Sequence, residues 1–333
     1  MSNVFAFGIG LHQTNAAGQM LDCLFPHPVL QPGPELQAMI AQLPTGTSQI
    51  EPAALHALAA AGAPQLVPPV LLELDKPLTV VNLDADAAIA DTAQAYLKLH
   101  LLSHRLTLPN TLNLDGIFAH LPNLAWTSKG PITPEALPDA LLAARVQGEP
   151  LEVYSIDKFP KMVNYVMPRG VRFADASRIR LGAYLGEGTT VMHEGFCNFN
   201  AGALGPNMVE GRISQGVIIG AGTDLGGSAS TMGTLAGGGE IVITLGEHCL
   251  IGANAGTGIP LGDRCTIEAG LYITAGTVVT VMDEHGTAVQ RVKARELAGG
   301  SDLLFIRHSE TGQVICRTNR KAIELNEALH AHN

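Results

Sequence analysis

At 333 residues and 34.9 kDa, the chain is long enough for two or three domains, each with its own core. Only 15% of the residues are charged, and 20 basic against 30 acidic side chains give a net charge of −10, which excludes a surface of clustered Lys and Arg built to displace counterions from nucleic acid. No apolar run approaches the ~18 residues of a membrane helix, the opening stretch lacks a basic and then apolar leader, and five dispersed cysteines (Cys23, Cys197, Cys249, Cys265, Cys316) contain no C-x-x-C pair; a soluble, cytoplasmic protein with inert buried thiols is expected.

Glycine and proline divide the chain. Of the 37 glycines, 23 fall within residues 171–280, whereas 18 of the 20 prolines precede residue 171, so two different architectures meet near residue 170. In the first, apolar residues at helical spacing predict helices over 35–43, 52–61 and 134–146. The longest is predicted over 84–106, where Ala85, Ile89, Ala93, Tyr96, Leu99 and Leu102 share a face and Asp84 or Asp86 would cap the start. Short apolar runs at 65–74 and 79–83 read as strands. Residues 1–165 are therefore expected to form a mixed, mostly helical α/β domain.

Beyond residue 170 the period becomes six. Phe173, Ile179, Leu185 and Val191 begin the series; Ile213, Ile219 and Leu225 resume it; Leu245 and Ile251 follow; Leu261, Ile267, Ile273 and Val279 close it. A small residue often comes next, as in Leu185-Gly186, Ile219-Gly220 and Ile251-Gly252. Six is neither the helical nor the strand period. A coil with three short flat faces explains it, one aliphatic per face pointing inward and small residues at the corners. The expected fold class is thus mainly β, with a left-handed parallel β-helix over 166–284. Breaks near 197–212, 232–243 and 257–260 would be loops thrown off the coil. Residues 285–333 should alternate strands and turns before a closing amphipathic helix at 321–330 that caps the open end.

The segments Val191-Met192-His193-Glu194-Gly195-Phe196, Met208-Val209-Glu210-Gly211-Arg212-Ile213-Ser214, Gly252-Ala253-Asn254-Ala255-Gly256 and Glu268-Ala269-Gly270-Leu271-Tyr272 resemble the tetrahydrodipicolinate N-succinyltransferases, in their actinobacterial and pseudomonad branch. The likeness covers most of residues 165–310 and, more loosely, both ends. It implies transfer of succinyl from succinyl-CoA to the amino group of open-chain tetrahydrodipicolinate, on the route to diaminopimelate and lysine. It also implies a homotrimer with active sites between coils, and no tightly bound cofactor. Glu210 takes the catalytic role, through an acyl-anhydride or as a general base. Arg212, with a planar fork suited to a carboxylate, would contact the acyl donor together with Gly227, Ser230, Ala253, Glu268, Ala269, Gly276, Lys293, Arg307 and Ser309. Glu194 matches a Mg2+ ligand on the trimer axis. Its usual Asp partner is Ser177 in this chain, with Asp175 two residues earlier, and Ile306-Arg307-His308-Ser309 stands where the family often has Arg-Arg-Asn-Ser.

The same residues admit other readings. His193 is a rival base, because imidazole titrates near neutrality, although its place beside Glu194 favours an orienting role. Ser214, Ser230 and Asn198 are possible oxyanion donors. An acetyltransferase on the same acceptor would have no carboxylate for Arg212 to hold. A γ-type carbonic anhydrase needs three clustered histidines, and the coil offers only His193 and His248. A catalytically silent scaffold would not depend on Glu210. Motifs for nucleotide hydrolysis, dinucleotide binding, elbow-serine hydrolysis and zincin chemistry do not occur.

Overall fold

A computed structural model describes residues 4–233 and 241–318, so the expected closing helix lies outside the described residues. The chain forms two compact units: Met1–Thr107 with Thr111–Met167, and Leu108–Asn110 with Pro168–Asn333.

The first unit is built on an antiparallel sheet in the order Met20–Leu24, Ala6–Thr14, Leu78–Leu83, Gly46–Ile50, with Val29–Leu30 pairing to Ala6 and Phe7. Every residue of Leu78–Leu83 is buried, so both faces of the sheet are covered. Helices Pro34–Ile40, Pro52–Ala60 and Leu137–Gln147 match the periodic segments. The longest helix is shorter than its pattern. It runs Thr92–Ser103, because Asp91 is the N-cap, accepting from Gln94 N at 2.9 Å. Asp86 does not cap it; its carboxylate accepts from Lys98 Nζ at 2.6 Å and from Asn113 N at 2.8 Å, which fixes 84–91 as a loop. The strand expected at 65–74 is instead a turn and the short helix Pro69–Leu72, consistent with two prolines that have no N–H to give a ladder. A second sheet, in the order Gly130–Ile132, Leu124–Thr127, Val153–Asp157, completes this unit. Strands take a larger share of it than the helical periodicity suggested.

The second unit is a left-handed parallel β-helix with three faces. One face stacks Ala183–Leu185, Ala201–Ala203, Ile218–Ile219 and Thr244–Leu245. The next stacks Arg172–Phe173, Thr189–Val191, Asn207–Val209, Asp224–Leu225, Leu250–Ile251, Thr266–Ile267 and Leu303–Arg307. The third stacks Phe196–Cys197, Arg212–Ile213, Ser230–Thr231, Gly256–Thr257 and Tyr272–Ile273. The inward aliphatics Ile179, Leu185, Val191, Ile213, Ile219, Leu225, Ile251, Ile267 and Ile273 are buried, as the six-residue period requires.

Residues 197–212 are not a loop. Cys197, Ala203 and Val209 continue the six-residue spacing, all buried, and the coil runs through them with small residues in two inward positions. The register shifts later, between Val209 and Ile213, where a corner is two residues short. Likewise 257–260 is a shortened corner, with Thr257 paired to Ile273 and Leu261 bridged to Leu245. Only the break at 232–243 inserts chain: Ile219 pairs with Leu245, whereas neighbouring turns pair at the 16-residue spacing of Leu225 with Val209.

The glycines that follow inward residues serve close approach rather than unusual dihedrals. A Cβ on Gly252 would stand 2.5 Å from Ala269 N, and one on Gly220 would stand 2.6 Å from Gly246 C, both immovable backbone of the next turn. Left-handed φ values occur two residues further on, as at Gly188 (82°), Gly222 (72°) and Asn254 (55°). After the coil, Ala288–Lys293, Leu303–Arg307 and Val314–Thr318 alternate with turns as expected, and Phe305 pairs with Ile267.

Candidate active site

The short corner at Glu210-Gly211 creates the site. Its neighbours along the coil, Met192–Gly195 and Gly226–Ala229, have the full four residues, so the chain between Val209 and Arg212 is cut back and leaves a notch between two projecting corners. The recess measures about 470 Å³ and is lined by Arg178, His193, Glu194, Phe196, Arg212, Ser228 and Ala229. The projecting corners are tied together, because Ser228 Oγ donates to Glu194 Oε2 at 2.9 Å.

Glu210 is not part of that lining, but its carboxylate and that of Glu194 both approach Gly227 at the projecting corner. A Cβ on Gly227 would sit 3.5 Å from Glu210 Oε2 and 3.8 Å from Glu194 Oε2, so a residue with no side chain leaves both acids facing the same space. Arg212 Nε donates to Ser230 Oγ at 3.0 Å, and Tyr272 Oη lies 3.4 Å from the same hydroxyl. The terminal nitrogens of Arg212 make no hydrogen bond among the described residues and remain able to hold a carboxylate as a bidentate pair. Arg178 supports the opposite wall: Nε donates to Gly195 O and Nη2 to Glu194 O, both at 2.8 Å, fixing the corner that carries His193 and Glu194.

Sequence reasoning missed Arg178, Phe196, Ser228 and Tyr272. A signal for three of them exists. On the third face, Phe196 pairs with Arg212, Arg212 with Ser230, Ser230 with Gly256 and Gly256 with Tyr272, one column of positions each preceding an inward residue. Arg178 extends it by preceding Ile179, which bridges to Cys197.

The remaining expected donor positions fall in two further groups. Ala253, Glu268, Ala269 and Arg307 stack along the same edge of the coil: Asn254 N donates to Gly227 O at 2.8 Å, Gly270 N to Ala253 O at 2.8 Å, and Arg307 N to Glu268 Oε2 at 2.8 Å. Ser309 lies in the exposed turn beyond Arg307. Gly276 lies in a turn beside the end of Ala288–Lys293, where Ala294 N donates to Thr277 O at 2.8 Å, and a Cβ on Gly276 would meet open space. Ser177 is not brought to Glu194 by any contact; its hydroxyl donates to Asp175 Oδ1 at 2.6 Å. Among the described residues no three His, Cys, Asp or Glu side chains gather as a metal site within one chain. His193 lines the notch, whereas His248 sits at a different corner, its N–H donating to Ala221 O at 2.9 Å.

Chemically, the notch offers a carboxylate to accept a proton or attack a carbonyl, a guanidinium for an anionic tail, and hydroxyls for polar contacts. A thioester and an amine brought together there would have what acyl transfer needs.

Comparison with known proteins agrees with that chemistry. Residues 121–161 match the family described as the middle region of tetrahydrodipicolinate N-succinyltransferase, and residues 242–275 match the hexapeptide repeat of succinyl-transferase. The chain is 55% identical to the 2,3,4,5-tetrahydropyridine-2,6-dicarboxylate N-succinyltransferase of Pseudomonas putida over 100% of both chains, and 56% identical to that of Pseudomonas aeruginosa over 98% of both. The Vibrio cholerae protein of the same name is 49% identical over 99% of both. A Campylobacter jejuni crystal structure named as a 2,3,4,5-tetrahydropyridine-2-carboxylate N-succinyltransferase superposes with a TM-score of 0.86 at 29% identity, covering 97% of this chain and 94% of that one.

Proposed function

Because the chain belongs to the tetrahydrodipicolinate N-succinyltransferase family, we propose that the notch at Glu210 is where it moves succinyl from succinyl-CoA to the amino group of tetrahydrodipicolinate. The enzyme is a CoA-dependent N-succinyltransferase of the diaminopimelate and lysine route. The observation that carries the assignment to this site is the cut-back corner, which sets Glu210 and Arg212 on either side of one missing pair of residues.

In the general-base form, the acceptor amine attacks the thioester carbonyl while Glu210 takes its proton. The tetrahedral oxyanion then collapses, the C–S bond breaks, and the CoA thiolate leaves with that proton. In the anhydride form, Glu210 itself attacks the carbonyl and expels CoA; the amine then displaces the carboxylate. Arg212 grips the distal succinyl carboxylate in either form. Its Nε is already spent on Ser230, so the free edge faces the tail. Ala253, Glu268, Ala269, Gly276, Lys293, Arg307 and Ser309 form the path for the CoA arm, with Lys293 as a point charge for phosphate.

The protein works as a homotrimer, a reading supported by the hexapeptide repeat and by a notch that one chain leaves open. Each chain would bring a single exposed carboxylate, Glu194, to a Mg2+ ion shared between copies, and Ser177 adds only a neutral hydroxyl already bonded to Asp175. No step of the transfer depends on that ion. A cytoplasmic location suits a CoA thioester and five free, buried cysteines; no helix among the described residues is long and apolar enough to cross a membrane.

The test is CoA release with tetrahydrodipicolinate and either succinyl-CoA or acetyl-CoA. A kcat/KM for succinyl-CoA at least tenfold higher is expected, and equal values would remove Arg212 as the anchor of the acyl tail.

A further inference from the structure

A second recess lies wholly within the first unit, in a place no step of acyl transfer uses. It measures about 240 Å³, and Gln13, Asp22, Leu24, Trp126, Tyr154 and Tyr165 are among the residues that line it. One wall comes from the antiparallel pair Ala6–Thr14 and Met20–Leu24, the other from the small sheet that contains Trp126 and Tyr154. Gly130 is needed where the walls meet, since its φ is 101° and a Cβ there would stand 2.8 Å from Gln13 Oε1.

Its polar groups are those of a built site. Asp22 is 5% exposed, and its Oδ2 accepts from Tyr165 Oη at 2.6 Å and, at the limit, from Gln13 Nε2 at 3.5 Å. Its Oδ1 is buried with no hydrogen-bond partner. An unpaired acceptor on a buried carboxylate is costly, and a strand carries it only where something compensates. Burial pushes the Asp22 carboxyl above its usual range, as an uncompensated acid should behave. No lysine or arginine lines the recess. Lys161 Nζ is engaged instead with the Tyr154 ring, 4.4 Å from its centroid, and His12 Nδ1 is hydrogen-bonded to Thr79 Oγ1 at 2.7 Å.

We infer that this recess binds a small primary ammonium compound, its –NH3+ group held by Asp22 and its carbon chain lying against Trp126, Tyr154 and Leu24. A buried carboxylate without its cation and aromatic faces beside it are the two features that select a compact cation over an anion or a neutral molecule. The inference does not depend on the assignment of the transferase site.

Trp126 is the single tryptophan of the chain and lines the recess, so its emission reports occupancy without any label. Titration of the intact protein with n-butylammonium chloride should give a saturable change in Trp126 fluorescence, and n-butanol of the same shape should give none up to a tenfold higher concentration. Asp22→Asn should weaken the amine at least tenfold. Tyr154→Ala, at the half-exposed rim, should weaken it several-fold without loss of thermal stability, which covers the case in which the Asp22 variant does not fold. An unsaturable response, or equal binding of amine and alcohol by the wild type, overturns the inference, and so does unchanged amine affinity in a folded Asp22→Asn protein.

Discussion

The edge of the coil and the helix Thr92–Ser103 handle charge in opposite ways. At the edge, Glu194 and Arg212 are exposed and Glu210 is half-buried, while the coil interior beneath them is aliphatic. In the helix the charge is inside. Lys98 is fully buried and donates to Asp86 Oδ1 at 2.6 Å, Ala87 O at 2.7 Å and Asn113 O at 2.6 Å, so all three ammonium protons are used. His100 is equally buried; Phe25 N donates to its Nε2 at 3.2 Å, which leaves Nδ1 to donate to Tyr96 O at 2.7 Å. Desolvation holds that imidazole down to about 3. Strongly perturbed titration is often a pointer to reacting groups, yet here it marks a helix packed on all sides.

The sharpest test of the contrast is Glu210→Ala. If the notch is the reaction site, removing its carboxylate lowers kcat for CoA release by about 10²–10⁴-fold, with the fold intact because the inward residues Val209 and Ile213 are untouched. Activity within threefold of wild type would sink the assignment. The same assay without acceptor separates the two forms of the mechanism: an anhydride releases one CoA per chain in a burst, whereas a general base releases none.

The legibility of the two regions differs for a physical reason. A coil turn repeats one aliphatic per face, so Ile219, Leu225 and Ile251 expose the architecture directly. Cys197 and Ala203 hide part of it, because an inward cysteine or alanine carries no aliphatic signal, and the true shift at Glu210-Gly211 is therefore blurred into a longer break. The edge column of Phe196, Arg212, Ser230, Gly256 and Tyr272 becomes visible only once its unequal registers, of 16, 18, 26 and 16 residues, are known. In the first unit the central strand Ala6–Thr14 escapes notice because Gly8 and Gly10 interrupt its pattern. Both are there to seat Phe25: a Cβ on Gly8 would stand 2.7 Å from its Cδ1, and one on Gly10 would stand 2.8 Å from it. No local periodicity announces a partner ring fifteen or more residues away. Glu210 itself stands out only through motif resemblance, since an isolated Glu on a corner is ordinarily a solvated side chain.

The helix side of the contrast is tested by pH. With its pKa near 3 in the fold and ~6.5 when unfolded, His100 takes up a proton on unfolding at any pH between those values. Stability from this group is fully present above about pH 6.5 and falls as the pH drops, by about 1.4 kcal/mol per unit inside the window. His104, whose pKa burial also lowers, acts in the same direction, while Asp22, raised by burial, acts in the opposite one. His100→Gln retains a neutral donor and acceptor, so subtracting its urea-unfolding free energies from those of the wild type isolates the term. Between pH 6 and 4.5 the difference should change by about 2 kcal/mol. Parallel curves would show that the buried imidazole is not titrating as its surroundings demand.

The smallest expected effect returns to the edge. Arg212→Lys keeps the charge and discards the planar fork, so it separates a bidentate grip on the succinyl tail from simple attraction. Lysine has no Nε–H to place against Ser230 Oγ, and the link that now orients the guanidinium at 3.0 Å is lost. The KM for succinyl-CoA should rise about tenfold, some 1.4 kcal/mol of binding, with kcat changed far less, because the tail is held equally in the ground and transition states. Acetyl-CoA has no tail carboxylate, and its KM should not move. A parallel rise for both donors would place Arg212 on a part of the molecule that they share, such as the CoA phosphates. An unchanged KM for succinyl-CoA would mean that charge alone suffices and that the ordering of Arg212 by Ser230 and Tyr272 does nothing for the donor.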